Sequence, residues 1–379
     1  MSTPMHYTQF SATRVLSGIN AHTHIVREAQ QLGLQRVFLL IDPFIAGTPL
    51  GNTIVNQLIQ ANIDLVVSTQ VEPDPTEATI VALAQQAQHK HVDGVIAIGG
   101  GSAIDSAKAI ALLVKKATLE LSRFYFGGAQ LPDATIPVIA VPTTAGTGSE
   151  ITFVAIITQP ESRRKLLIRH PALAPTVAVV DPQLSASMPA SLTMATGMDA
   201  LSHALEALTS TMASPAADAL AHSAITTIVS TLPALIQNGD NLNQRQQMAE
   251  AATLAGYAFL SGRVHLGHAV GHALGGAFHL PHGTACMVLM PAILHHITPA
   301  VPAAIDRIAH HFQTTAPQLP AALQSFMHGC GMPSLGQLIT TPTDHEALID
   351  LILGEERLIG LAPSAPTRAQ WRNIIEAGW

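Results

Sequence analysis

Residues 92–114 read VDGVIAIGGGSAIDSAKAIALLV. The opening run, Val92 to Ile98, is short, apolar and closed by glycine, which is the pattern of a buried strand. From about Ala103 to Val114 apolar residues recur at helical spacing, so a helix is predicted there. Between the two, Gly99, Gly100 and Gly101 carry no side chains, and Ser102 can cap the helix that follows. Bare backbone N–H groups and a helix N-terminus therefore meet at one point, an arrangement that accepts an anion such as a pyrophosphate. A glycine triplet alone is equally consistent with a tight strand-to-helix turn, so the neighbouring sequence has to decide.

Upstream, Val37 to Ile41 is a second apolar strand ending at Asp42-Pro43, and a helix-like segment runs from about Leu50 to Ala61. A strand at Asp64–Ser68, prolines at 73 and 75, and an amphipathic helix from Thr76 to Lys90 follow. Downstream, strands are expected at Ile136–Val141, Thr152–Thr158 and Val177–Val180 and are expected to complete the same sheet. Strand and helix alternate throughout, which predicts an α/β domain with a Rossmann-like parallel sheet covered by helices on both faces. After Asp181-Pro182, Ala, Leu, Met and His dominate and apolar residues recur at three and four, so the rest reads as all-α. The boundary is placed at Leu184, giving an α/β domain over 1–184 and an all-helical domain over 185–379.

A second small-residue loop, Pro142-Thr143-Thr144-Ala145-Gly146-Thr147-Gly148-Ser149-Glu150, again follows a strand and offers hydroxyls and free N–H groups. Two such loops in one sheet point to a nucleotide. Neither is Gly-x-Gly-x-x-Gly, and the acid that closes a strand, Asp42, precedes the glycine loop instead of following it. An acid at a ribose would hydrogen-bond its 2′-hydroxyl and repel a 2′-phosphate, so Asp42 favours NAD over NADP. Its other reading is a turn-former before Pro43.

Nearly half of the 379 residues are apolar (48%) and 11% are charged, which suits a globular chain of two domains. The net charge of −7 and a longest basic run of only Arg163-Arg164-Lys165 give no support to a nucleic-acid or acidic-membrane partner. Cys286 and Cys330, the two cysteines, are too few for a disulfide framework or a thiolate metal site and suit a reducing compartment. Met1 to Phe10 lacks a basic segment leading into an apolar core, and no run of about 18 apolar residues occurs, so the expected location is cytoplasmic.

In the helical half, Asp199 and His203 are four apart within Gly197-Met198-Asp199-Ala200-Leu201-Ser202-His203-Ala204-Leu205-Glu206 and share a helix face. His268 and His272 repeat that spacing, and Leu280-Pro281-His282-Gly283 adds another imidazole. With 19 histidines present one pair could arise by chance, but two pairs plus His282 form a donor set for a borderline ion, Fe2+ or Zn2+. Asp199 favours iron somewhat. Spacing alone leaves open whether His268 or His272 is the ligand.

Together with Gly99–Ser102, Asp105 and Lys108, the loop 142–150, the stretch 197–206 and the stretch 268–283, these residues resemble the iron-dependent (group III) alcohol dehydrogenases. That family includes lactaldehyde reductases and propanediol dehydrogenases, and shares a two-domain plan with dehydroquinate synthase. The resemblance implies metal ligands Asp199, His203, His268 and His282, with His272 beside the nicotinamide and substrate as proton relay. It implies Asp42 at the adenosine ribose, Gly99, Gly100, Ser102, Thr143, Thr144 and Thr147 along the phosphate path, and Lys165 as a cofactor contact. A homodimer or a larger assembly of dimers is implied as well. The chemistry expected is hydride exchange between NAD and a small primary alcohol or diol, with the ion polarising the reacting oxygen.

Arg263 and His265 stand where the family has small or apolar residues. Arg263 at a substrate entrance would favour an anionic aldehyde or oxoacid carrying a carboxylate, sulfonate or phosphonate. Its alternative is a surface arginine bound to a carbonyl or to a dimer partner. Val154, Phe259 and Val264 are candidates for an apolar substrate wall, or for plain core packing. A maleylacetate reductase shares the fold but lacks the metal set, a dehydroquinate-synthase-like lyase would need more Lys and Arg, and a non-enzymatic nucleotide-binding protein has no use for clustered ligands.

Overall fold

The computed structural model describes residues 12–159, 164–340 and 344–379. The segment Met1–Phe10 and Arg163 of the basic run lie outside the described residues. Two compact units are present, Ser11–Ser187 and Met188–Trp379.

The first unit is built on strands β1 (Arg14–Ser17), β2 (Arg36–Ile41), β3 (Asp64–Ser68), β4 (Gly94–Gly99), β5 (Val138–Pro142) and β8 (Val177–Val180), with a separate pair β6 (Val154–Gln159) and β7 (Arg164–Arg169). The six form one sheet in the order β1-β8-β5-β4-β2-β3, every neighbouring pair parallel. Its helices are α1 (Ile25–Gln31), α2 (Pro43–Ala46), α3 (Pro49–Gln60), α4 (Glu77–His89) and α5 (Gly101–Lys116). Strand β2 shows why the central strands read as unbroken apolar runs. Phe38 and Leu40 join a core with Ile80 and Leu83 of α4 and Ile104 of α5, while Val37, Leu39 and Ile41 join one with Ile25 of α1 and Ile54 and Leu58 of α3. Alternate residues face opposite sides of a sheet, and both sides here are covered.

One strand expectation is corrected. The segment around Thr152–Thr158 does not complete the main sheet; β6 pairs antiparallel with β7, Val154 opposite Arg169 and Gln159 opposite Arg164. The reason lies in its alternating burial, since residues 154, 156 and 158 are only partly buried whereas β4 and β5 are buried throughout. A strand fully buried on one face only suits a hairpin on the flank of a domain and not the centre of a parallel sheet. Strand β1, absent from the expected elements, pairs with β8 at the sheet edge.

The second unit is helical. It opens with α6 (Ala190–Thr209), α7 (Pro215–Gln237), α8 (Leu242–Gly262), α9 (Leu266–Phe278) and α10 (His282–Met287), followed by further helices from Met290–Ile297 to Arg368–Gly378. Helix α6 is buried almost from end to end, and α7, α8, α9 and α10 all pack on it. Among the described residues α7 alone is long and apolar enough to match a membrane span, with mean hydropathy 1.5. Its buried positions, Ala217, Ala221, Ala224, Ile225, Ile228 and Leu232, recur at three and four, and its exposed ones include Ser223, Thr226 and Ser230. That one-sided pattern belongs to a helix packed on its neighbours.

Candidate nucleotide loops and metal centre

Sheet topology places the glycine loop. After β2 the chain adds β3 on one side and then returns to lay β4 on the other, so the strand order reverses between β2 and β4. Ligands of open α/β sheets bind beyond the carboxyl ends of the strands at such a reversal. Asp42 follows β2, Gly99 ends β4 with Gly100 next to it, and Thr143 follows β5. Backbone bonds hold them in one row, from Asp42 N to Ile98 O (2.8 Å) and from Thr143 N to Gly99 O (3.0 Å). Helix α5 starts from Gly100 with no side-chain cap, so its first N–H groups are not claimed by a capping side chain. Asp42 itself accepts from Phe44 N (2.9 Å) and Ile45 N (3.4 Å) through Oδ1, so it also caps α2.

The second loop is tied to α5 from below. Lys108 is wholly buried, its Nζ donating to Asp105 Oδ1 (3.1 Å), Ser149 Oγ (2.8 Å), Thr152 Oγ1 (3.1 Å) and Val154 O (2.7 Å). Asp105 takes the Ser149 hydroxyl as well and, through Oδ2, the N–H of Ile156 (2.9 Å). Burial lowers the Lys108 pKa, and the Asp105 carboxylate opposes that shift. Asp105 and Lys108 are thus the internal tie between the two loops. Lys165 on β7 is paired with Asp74 (Nζ to Oδ1, 2.7 Å).

Three helices meet at the second site. Asp199 and His203 come from α6, His268 and His272 from α9, and His282 opens α10. Ligand atoms of Asp199, His268, His282 and Cys286 all lie within 4.8 Å of one another. Asp199 Oδ1 is 3.9 Å from His282 Nε2 and 3.8 Å from His203 Nε2, and the His203 and His268 rings stack at 4.8 Å. Gly283 allows this approach, because a Cβ there would overlap the carbonyl oxygen of Ala195 and stand 2.6 Å from the Cβ of Asp199. The centre opens on the side of His282, whose side chain is 32% exposed.

The structure separates the two α9 histidines that spacing could not. His268 joins the cluster, while His272 stands at its edge, its ring 5.9 Å from that of His282 and its Nδ1 3.3 Å from Glu355 Oε2. Of the substrate candidates, Phe259 stacks on His203 at 4.2 Å, and Val264 is half-buried. Arg263 donates from Nη1 to Leu260 O, and its backbone is held at φ 69° and ψ 165°, a region that disfavours side chains. Val154 starts β6 and gives its carbonyl to Lys108.

Three participants were not anticipated from sequence. Glu206, fully buried, accepts the N–H groups of His265 (2.9 Å), Gly267 (2.8 Å) and His268 (3.3 Å) on Oε1 and the Nδ1 of His268 on Oε2. It caps α9 and orients a candidate ligand at once. Burial works against its ionisation, yet His268 and His265 hold its carboxyl at about 2. Burial likewise works against protonation of His268, but the Cys286 sulfur and Glu206 outweigh it and raise its pKa well above the ordinary value. Both directions reflect the same attraction between the Glu206 carboxylate and the ring it holds at Nδ1. Glu355, the second, is the neighbour of His272. The third, Cys286, places a thiol among the candidate donor atoms where the cysteine count gave no expectation of one: it lies four residues after His282 on the same helix, a spacing visible in the sequence.

These donors suit a divalent ion. Nε2 of His268 is buried with no hydrogen-bond partner, an arrangement that is costly unless a cation fills the space. One carboxylate, imidazoles and a thiol are the ligand types of Fe2+ and Zn2+.

Residues 12–182 match the family model described as iron-containing alcohol dehydrogenase, and residues 193–379 match the one described as Fe-containing alcohol dehydrogenase family, C-terminal. The NAD-dependent methanol dehydrogenase of Bacillus methanolicus is 36% identical over 276 residues, 73% of this chain and 72% of that protein. A crystal structure of 1,3-propanediol oxidoreductase superposes with a TM-score of 0.93 at 29% identity, covering 99% of this chain and 100% of that one. Sulfoacetaldehyde reductase from Bifidobacterium kashiwanohense, solved in complex with NAD+, superposes with a TM-score of 0.90 at 26% identity, covering 99% of each chain.

Proposed function

The chain belongs to the iron-containing alcohol dehydrogenases, and from that membership we propose that it interconverts a small primary alcohol or diol and its aldehyde, using NAD and a divalent iron or zinc ion. The observation that carries the reading is the meeting of Asp199, His268 and His282 around the buried, unpartnered Nε2 of His268. When bound, the ion polarises the reacting oxygen and NAD exchanges the hydride.

The chain's own residues do the rest. The N–H groups at the start of α5 and the hydroxyls of Ser102, Thr143, Thr144 and Thr147 receive the diphosphate of NAD, Asp42 takes the ribose, and Lys165 is a further cofactor contact. Asp199, His203, His268 and His282 are the proposed metal ligands. Glu206 keeps a proton on Nδ1 of His268, so Nε2 carries the lone pair that faces the centre. His272 takes the proton released by the alcohol and gives it back to the aldehyde oxygen in reverse, with Glu355 (30% exposed) beside it toward solvent. Phe259, Val264 and Val154 are the candidates for an apolar substrate wall. The proposed enzyme is a cytoplasmic homodimer or an assembly of dimers.

A second reading, reduction of a small anionic aldehyde, rests on the charge of Arg263, whose guanidinium donates to the carbonyl of Leu260. The likeness to sulfoacetaldehyde reductase is compatible with it. Both readings are tested by anaerobic assays of NAD+ reduction with short alcohols and diols, and of NADH oxidation with sulfonated and carboxylated aldehydes. Each is run before chelation, after it, and after restoring Fe2+ or Zn2+. Activity that vanishes with chelation and returns with metal is expected, with uncharged alcohols preferred; activity indifferent to chelation would overturn the metal assignment, and a preference for anionic aldehydes would move the second reading to first place.

A further inference from the structure

The thiol of Cys286 is placed as the metal ligands are placed. It is fully buried, its Sγ is 3.6 Å from His282 Nε2, and it belongs to the group whose donor atoms lie within 4.8 Å of one another. Metal–ligand bonds of about 2.0–2.3 Å set neighbouring donors about 3–4 Å apart. The separations from Sγ to His282 Nε2 (3.6 Å) and from His282 Nε2 to Asp199 Oδ1 (3.9 Å) fall in that range. The position is built, not incidental. Cys286 and His282 share a face of α10, and Gly271 on α9 leaves the space for the sulfur, since a Cβ there would overlap Sγ. Nε2 of His268, buried and without a hydrogen-bond partner, supplies an independent sign that an ion belongs at this point.

We propose that Cys286 is itself a ligand, a thiol added to the proposed set of Asp199, His203, His268 and His282, and that it makes the site selective for a thiophilic ion, zinc above iron or manganese. The inference deepens the metal-dependent reading above and rests on it. Binding breaks the S–H bond and forms a metal–sulfur bond, the proton passing to solvent with no change of oxidation state. Thiolate selects zinc among divalent ions, whereas carboxylate and imidazole alone accept manganese and iron as well.

Cobalt(II) is the probe, because a thiolate bound to it gives a near-ultraviolet charge-transfer band that oxygen and nitrogen ligands do not. The metal-depleted full-length protein is titrated with Co2+ and its spectrum compared with those of Cys286→Ser and Cys286→Ala, the serine variant guarding against loss of fold. Bound cobalt is counted independently by elemental analysis. The expected result is one Co2+ per chain in all three proteins, with the charge-transfer band in the unmodified protein alone. Because loss of an outer-sphere partner alone lowers metal affinity about 10–100-fold, the variants are expected to lose at least that for Zn2+ and markedly less for Mn2+. Cobalt bound stoichiometrically without the band, a band that persists in both variants, or an equal loss for Zn2+ and Mn2+ overturns the assignment of Cys286 while leaving the centre in place. Failure of the unmodified protein to bind Co2+ at all overturns the metal centre and this assignment with it.

Discussion

A metal ligand is only as good as the group that aims it. In the proposed centre His268 presents Nε2 because its other nitrogen is held by Glu206, which at the same time satisfies three backbone N–H groups at the start of α9. Glu206→Gln separates those two duties. The amide oxygen can still accept the backbone N–H groups, but the amide nitrogen then faces Nδ1 and drives the proton to Nε2, where it blocks coordination. The variant is expected to fold, to have a lower melting temperature in its metal-free form because a buried pair is broken, and to bind Zn2+ about 10–100-fold more weakly in competition with a chromogenic chelator. Unchanged affinity would remove Glu206 from the account of the site. Glu206 was visible in the sequence only as the last residue of a helical stretch. Nothing local marks it, since its partners lie about sixty residues further on and its role arises only where α6 meets the first turn of α9.

At the level of elements, the two proposed nucleotide loops are joined by a buried cation. Lys108 joins α5 to the loop after β5 and to β6 through Asp105, Ser149, Thr152 and Val154. Lys108→Met keeps the length and apolar bulk of the side chain but leaves the Asp105 carboxylate without its buried counter-charge. Breaking one side of a buried pair destabilises by about 3–5 kcal/mol, to be measured by denaturant unfolding, and NAD binding is expected to weaken as the loop loosens. A stability change within about 0.5 kcal/mol, the range of an ordinary surface substitution, would mean that the loops are held by their backbone bonds alone. The same network accounts for part of what sequence reading missed. Asp105 and Lys108 stood out as motif residues but not as a tie between loops, because the hairpin strand β6 they hold was expected in the main sheet.

Over the whole molecule the proposed reading divides two chemical duties between the two units. The proposed nucleotide loops at 99–105 and 142–150 belong to the unit Ser11–Ser187, and the proposed metal donors all belong to Met188–Trp379. Each ligand should therefore leave its own imprint on amide hydrogen exchange. NAD+ is expected to slow exchange at the start of α5 and in the loop after β5, and the metal to slow it in α6, α9 and α10. Chelation is expected to reverse the second effect and to spare the first. Protection by NAD+ confined to the helical unit, or by metal confined to the sheet, would break this division of labour.

Local pattern determined much of this protein. Unbroken apolar runs marked β2, β4, β5 and β8, three-and-four spacing marked the helical half, and small-residue turns marked both loops, because burial on two faces or on one stripe is written directly into the order of residues. Histidine and aspartate pairs four apart showed which side chains share a helix face. Tertiary structure alone decided what those faces look at. It chose His268 over His272 for the cluster, sent β6 into a hairpin with β7, and brought Glu206, Glu355 and Cys286 to the histidines. The physical reason is range: helical and strand periodicity follow from bonds within a few residues, whereas coordination, second-sphere hydrogen bonds and strand pairing depend on which surfaces come within a few ångströms after the chain has packed.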